Sequence, residues 1–403
     1  MTIATQNCHR LFSNQDQGYW YKLRPTKDQA KGLRSCQEKI RDCLTAAFLS
    51  AYQQAPKFRV QGSWAYGTCN QPALPNQEMD LDYGAYLPSS VFSSEPSPEE
   101  AIAYFDVAKK ALNELCKEEG WVLSDKKETC LRLYKVMPNA HIDVPLYAVP
   151  DDMFDSLIEN HSIALDHIYK EATITAASRR FALESYGGEM LTENFRAKEI
   201  DLENIQMIHL AQKNGEWLPS DCEKVREWFL KKCAEHPGNG QQLKAIVRYL
   251  KGWRDQHWKE GGPTSILLMI ITVQHYKYAD SRDDQALFTV TQNLATSLKN
   301  EVYASIDEHE EKDFNSATPQ QRLEYANKAK ELHTYVEQSM LAETPNASVD
   351  YLRASFGQRL PNEPKLVITI DAPNDSMTAY QKVMSQPVQH AKEAAMLAPQ
   401  IGG

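Results

Sequence analysis

The chain of 403 residues predicts an α+β protein, with a mixed sheet flanked by helices in its front half and a mostly helical back half. Three observations carry this. Glu78-Met79-Asp80-Leu81-Asp82-Tyr83 alternates acid and apolar residues, the period of a strand with one face on a core. Cys130–Val136 and His141–Tyr147 repeat a strand pattern. From Ser220 onward, apolar residues recur at helical spacing.

Residues 1–25 read as irregular. From Thr26 to Gln54, Leu33, Ile40, Leu44, Phe48 and Tyr52 mark one face of a long helix with Thr26 as N-cap. It leads through Phe58-Arg59-Val60 into a glycine–serine turn, Gln61-Gly62-Ser63-Trp64-Ala65-Tyr66-Gly67-Thr68. The acidic strand follows, then a Ser/Pro-rich loop and a helix over Pro98–Glu119. In the next strand Leu131 and Leu133 alternate with Arg132 and Tyr134. His141 and Asp143 share a face of the one after, opposite Ile142 and Val144. Asp143 is a charge inside an otherwise apolar run, which singles it out. Residues 150–215 give no clear pattern. Helices are predicted over Ser220–Cys233, Gly240–Trp258 and Pro263–Tyr278, with two more between Asp284 and Ala342. A strand, Leu366–Ile370, and a helix, Met377–Leu397, precede a tail ending Gly402-Gly403. The expected division is a catalytic unit over 1–215, a helical unit over 216–385 and a flexible tail over 386–403.

A net charge of −10 argues against long nucleic acid as a partner, because duplex binding needs a basic face to displace counterions. Eight cysteines show neither a Cys-x-x-Cys pair nor zinc spacing. No apolar run reaches the ~18 residues of a membrane span, and no signal peptide opens the chain; the expected location is cytoplasmic.

Asp80 and Asp82 project together from their strand, and two such carboxylates suit a hard cation such as Mg²⁺. The backbone N–H groups and hydroxyl of Gly62-Ser63 suit a phosphate. Asp143, from a neighbouring strand, supplies the third carboxylate that a two-metal site needs. The bland reading, a solvated Asp-x-Asp face, stands beside this one, and alternation alone leaves Glu78 open as a ligand. His141 is expected to hydrogen-bond structurally. In Leu243–Trp253, positions 243, 246, 247, 250 and 253 form an apolar stripe. Lys244, Arg248 and Lys251 line its neighbour, either as a solvated edge or as an anion contact. Tyr66 reads equally as a core residue or a base-stacking one.

These motifs together resemble the nucleotidyltransferases related to polymerase β. More closely, the chain resembles the bacterial cyclic-oligonucleotide synthases, relatives of animal cyclic GMP-AMP synthase and oligoadenylate synthase, and among them the dinucleotide-cyclase group of Vibrio. Gln61–Thr68, Asn70-Gln71-Pro72 and Gln77–Asp82 carry the likeness, which runs from about Phe12 to about residue 375. The stretch between Ser63 and Asp80 is longer than in the wider superfamily and matches an insertion of this bacterial branch. The resemblance implies a polymerase-β-like palm and a helical domain like that of oligoadenylate synthase. It implies two Mg²⁺ ions on Asp80, Asp82 and Asp143. Gly62, Ser63, Lys251 and Ser265 would position the donor triphosphate, Tyr66 and Gln61 would meet a base, and Arg132 would stack in the acceptor pocket. ATP and GTP would yield cyclic GMP-AMP as an anti-phage signal. An E1–E2-type enzyme would conjugate the chain through Gly403. A template-independent polymerase making linear oligonucleotides or RNA tails uses the same carboxylates and is the alternative.

Overall fold

The computed structural model describes residues 5–75, 77–94, 96–157, 208–220, 222–306 and 312–370. Helix α1 (Lys27–Tyr52) starts at a capping box, in which Thr26 accepts from the Gln29 amide while the Gln29 side chain reaches back to Thr26. Helix α2 (Pro98–Glu119) starts the same way at Ser97 and Glu100, with Pro98 in its first turn. Leu33, Ile40, Leu44 and Phe48 of α1 and Tyr104, Phe105, Ala108 and Leu112 of α2 are buried in one core with the sheet.

The sheet is built around the acidic strand. Strand β1 (Lys57–Val60) runs antiparallel along one edge of β2 (Met79–Pro88). Strands β3 (Val122–Ser124) and β4 (Leu131–Met137) form a hairpin. The predicted strand His141–Tyr147 is two strands, β5 (Ala140–Val144) and β6 (Leu146–Val149), both parallel to β2. Asp82 faces Asp143 and Ala85 faces Leu146, so the register continues across Pro145. Proline has no N–H to give the ladder, and the break falls there. Strand β4 flanks β5, while β7 (His209–Ala211) flanks β6 and pairs with β8 (Trp217–Pro219).

The helical half contains α3 (Cys222–Ala234), α4 (Gln241–His257), α5 (Ser265–His275), α6 (Asp283–Lys299), α7 (Pro319–Leu341) and α8 (Pro345–Phe356). The predicted stripe of Leu243, Ile246, Val247, Leu250 and Trp253 lies in its core. Three expectations are corrected. The N-terminus is not irregular: His9–Ser13 and Tyr19–Leu23 are short helices, and Leu11, Phe12, Tyr19 and Leu23 are buried with the helical half. Helix α8 escaped the pattern. The late strand shrinks to Ile368–Thr369, paired with Gln6–Asn7. The predicted helix Met377–Leu397, the tail and Gly403 lie outside the described residues, as does most of 150–215. No helix among the described residues is long and apolar enough to cross a membrane.

Helix α4 is stapled to the turn after the glycine–serine motif. Arg248, 3% exposed, donates from Nε to the Gly67 carbonyl at 3.0 Å and from Nη1 to that of Cys69, and its own carbonyl accepts from Asn70 Nδ2 at 2.9 Å. Losing the guanidinium would leave buried carbonyls unmet, each costing about 1–3 kcal/mol. Arg248→Met is expected to lower unfolding free energy by about 2–4 kcal/mol, read as a shifted urea midpoint; an unchanged midpoint would refute the staple.

Candidate active site

The register of three strands assembles the acids. Asp82 lies opposite Asp143 and Asp80 opposite His141 across the β2–β5 ladder, and Arg132 lies opposite Asp143 on the far side. Ligand atoms of Asp80, His141 and Asp143 lie within 4.8 Å of one another, the one cluster of this kind among the described residues. Asp80 is exposed and Asp82 half-buried, and both face a cleft of about 430 Å³. Burial, with the charges of Asp80 and Asp143 close by, pushes the Asp82 carboxyl up to about 7.

Asp143 sits deeper, 3% exposed. Arg132 grips it with two bonds, Nε to Oδ1 at 2.5 Å and Nη2 to Oδ2 at 2.6 Å, and Lys127 Nζ reaches Oδ2 at 2.8 Å. Burial alone would raise its carboxyl; these cations outweigh that and hold it below the usual carboxylate range. His141 places Nδ1 2.9 Å from Glu78 and Nε2 2.9 Å from Asp80, the structural role expected of it.

Gly62 is pressed against this array. Its φ is +59°, and a β-carbon there would lie 2.1 Å from Asp82 Oδ2. Only a residue without a side chain lets the turn approach the carboxylate so closely. Gly62, Ser63 and Tyr66 line the cleft together with Lys251 of α4 and Ser265, first residue of α5. Lys251 Nζ donates to the Thr68 carbonyl at 2.8 Å, and burial draws its ammonium down to about 8. Tyr66 is 7% exposed and meets Phe229 edge-on at 5.9 Å, a core residue with one edge on the cleft.

Two of the residues expected to meet bases have protein partners of their own. The Gln61 amide is turned into the core, accepting from Tyr147 Oη at 3.0 Å and donating to Tyr86 Oη. Arg132 is bonded edge-on to Asp143, because the β4–β5 register places the two directly opposite. Sequence reasoning missed Lys127 and Arg254. Lys127 lies in a loop without periodicity. Arg254 follows Lys251 by three residues on α4 and lines the same cleft, a spacing that could have revealed it.

A mixed sheet carrying three carboxylates on adjacent strands, beside a glycine–serine turn and a basic helix, is the arrangement of a nucleotidyltransferase. Residues 56–147 match the family of the cyclic GMP-AMP synthase DncV-like nucleotidyltransferase domain, and residues 240–369 match the cyclic GMP-AMP synthase C-terminal domain. A cyclic GMP-AMP synthase of Escherichia coli strain TW11681 is 30% identical over 329 residues, covering 79% of this chain and 70% of that protein. The Vibrio cholerae cyclic GMP-AMP synthase is 29% identical over 323 residues, 78% of this chain and 70% of the relative. The chain belongs to the DncV-like cyclic GMP-AMP synthase family. The fold agrees. Vibrio cholerae DncV in its apo form superimposes with a TM-score of 0.70 at 22% identity, covering 91% of this chain and 100% of that one. DncV in complex with the linear intermediate 5′ pppA(3′,5′)pG gives 0.68 at 22%, covering 92% and 100%.

Proposed function

We propose that this enzyme joins ATP and GTP into cyclic GMP-AMP through a linear dinucleotide. The observation that carries the reading is the in-register set Asp80, Asp82 and Asp143 at a cleft also lined by Lys251 and Ser265. Asp80, Asp82 and Asp143 offer oxygen ligands that fit Mg²⁺, with the His141 ring beside Asp80 and two cations already on Asp143. Asp80, Asp82 and Asp143 would hold two ions, which when bound acidify the acceptor hydroxyl and stabilise the pyrophosphate leaving group. An ionised carboxylate has about four lone-pair sites, so Asp143 can keep Arg132 and Lys127 while adding a ligand bond. In this reading Gly62 and Ser63 cradle the triphosphate, Lys251 and Ser265 hold it, and Tyr66 borders the base.

Residues 1–215 would form the catalytic unit and 216–385 the helical nucleotide-binding unit. The anti-phage setting and conjugation of Gly403 by an E1–E2-type enzyme complete the reading, supported by the family resemblance alone.

The test is incubation of the full chain with all four nucleoside triphosphates and Mg²⁺, then phosphatase treatment and mass spectrometry. A phosphatase-resistant cyclic GMP-AMP that vanishes in the Asp80→Ala/Asp82→Ala variant is the expected result. A linear product would transfer the reading to a template-independent polymerase.

A further inference from the structure

We propose that Arg254 sets the direction of the Ser265 hydroxyl, making it a fixed donor to the polyphosphate of a nucleoside triphosphate in the cleft. The inference rests on the nucleotidyltransferase reading and adds a positioning residue to it.

Arg254 Nη1 donates to Ser265 Oγ at 2.8 Å, while Asp255 takes Nη2 at 2.6 Å and Nε at 2.8 Å through one oxygen. The guanidinium fork is thereby held at both ends, and its plane is fixed. A hydroxyl is one donor and two acceptor lone pairs. Once a charged N–H occupies a lone pair of Oγ, the O–H must point away from the guanidinium, because a hydrogen turned toward it would face another hydrogen. The same charge-assisted bond polarises the O–H and strengthens what it donates. Ser265 lines the cleft, and the remaining direction is the one an anion there would use.

Two positive features lie close to Ser265, in a cleft that Asp80, Asp82, Asp255 and Glu260 also line. Ser265 opens α5, an 11-residue helix whose Thr264 N-cap accepts from the Leu267 amide at 3.2 Å. The positive end of the helix therefore lies at Ser265. Lys251, one turn before Arg254 on α4, adds its ammonium to the same cleft. Asp255 cancels much of the Arg254 net charge, so the effect of Arg254 travels through its bond to Ser265 more than through long-range attraction. Arg254 and Ser265 therefore act as one unit.

That unity is the test. Affinity of the full chain for a non-hydrolysable ATP analogue is measured by titration calorimetry in four proteins: wild type, Arg254→Met, Ser265→Ala and the double variant. AMP is titrated in parallel. Arg254→Met is expected to lose about tenfold in triphosphate affinity with little change for AMP. Ser265→Ala is expected to cost about tenfold in the wild-type background and less than about twofold once Arg254 is gone. Arg254→Gln, closer in size and polarity, repeats the comparison should the methionine variant fail to fold. Equal losses for Ser265→Ala in both backgrounds, or equal losses for AMP and triphosphate, would overturn the coupling. A wild-type chain that binds no triphosphate would instead sink the nucleotidyltransferase reading itself.

Discussion

Gly62→Ala is expected to cost about 10²-fold or more in nucleotidyl transfer while the fold loses only about 1–2 kcal/mol. The new β-carbon meets the far end of Asp82, not backbone. Asp82 therefore swings aside cheaply, and a carboxylate displaced by about an ångström no longer serves its site. The left-handed backbone, φ +59°, adds the modest folding penalty. Specific activity beside a urea midpoint separates the two effects. Retained activity would show that the Gly62–Asp82 contact does not matter for chemistry.

Asp82→Asn is expected to move activity and stability in opposite directions. The folded protein raises the Asp82 carboxyl from 3.8 to about 7, so the native state holds this proton more tightly than the unfolded chain does. The associated stability is fully present below about pH 4 and drains away as pH rises through about 7. Asparagine keeps the shape and never ionises. At pH 8 the variant should therefore outlast the metal-free wild type by about 2–4 kcal/mol, and near pH 4 the advantage should vanish. Activity should fall by about 10²-fold or more. Mg²⁺ should stabilise the wild type at pH 8 more than at pH 6, since ligation requires the ionised carboxylate, and should do less for the asparagine variant. Urea denaturation at the two pH values, with and without Mg²⁺, measures all of this; a wild type whose stability does not fall between pH 6 and 8 would contradict it.

Much of this site could be read from local pattern. The alternation at Glu78–Tyr83, the lone charge at Asp143 and the Gly62-Ser63 turn each obey a short-range rule, and the parallel ladder brings them together. Capping boxes at Thr26 and Ser97 announce their helices in four residues each. What could not be read depends on partners far along the chain. The turn of Gln61 toward Tyr86 and Tyr147, and of Arg248 toward Gly67 and Cys69, leaves no periodic trace. Arg132 was legible as lying opposite the apolar face of its strand, but its bond to Asp143 depends on a register that alternation does not determine. The short N-terminal helices were hidden for another reason. At five residues each, they are too brief to show a helical period, and they are held by burial and by distant partners such as Asp284, which accepts from the Cys8 amide at 2.8 Å.

Surface loops are ordinarily where a protein gains and loses residues over evolutionary time. The segment from Gly67 to Gln71 has little such freedom. Helix α4 claims its carbonyls at Gly67, Thr68 and Cys69. Arg359 claims that of Gln71 at 3.0 Å, and the Gln71 amide in turn donates to the Leu23 carbonyl at 2.6 Å. One residue inserted here would shift every later carbonyl off its partner, and one deleted would pull Gly62 out of line with Asp82. Length variation among descendants of this sequence should therefore gather elsewhere, with this five-residue connection conserved in length even where its side chains drift.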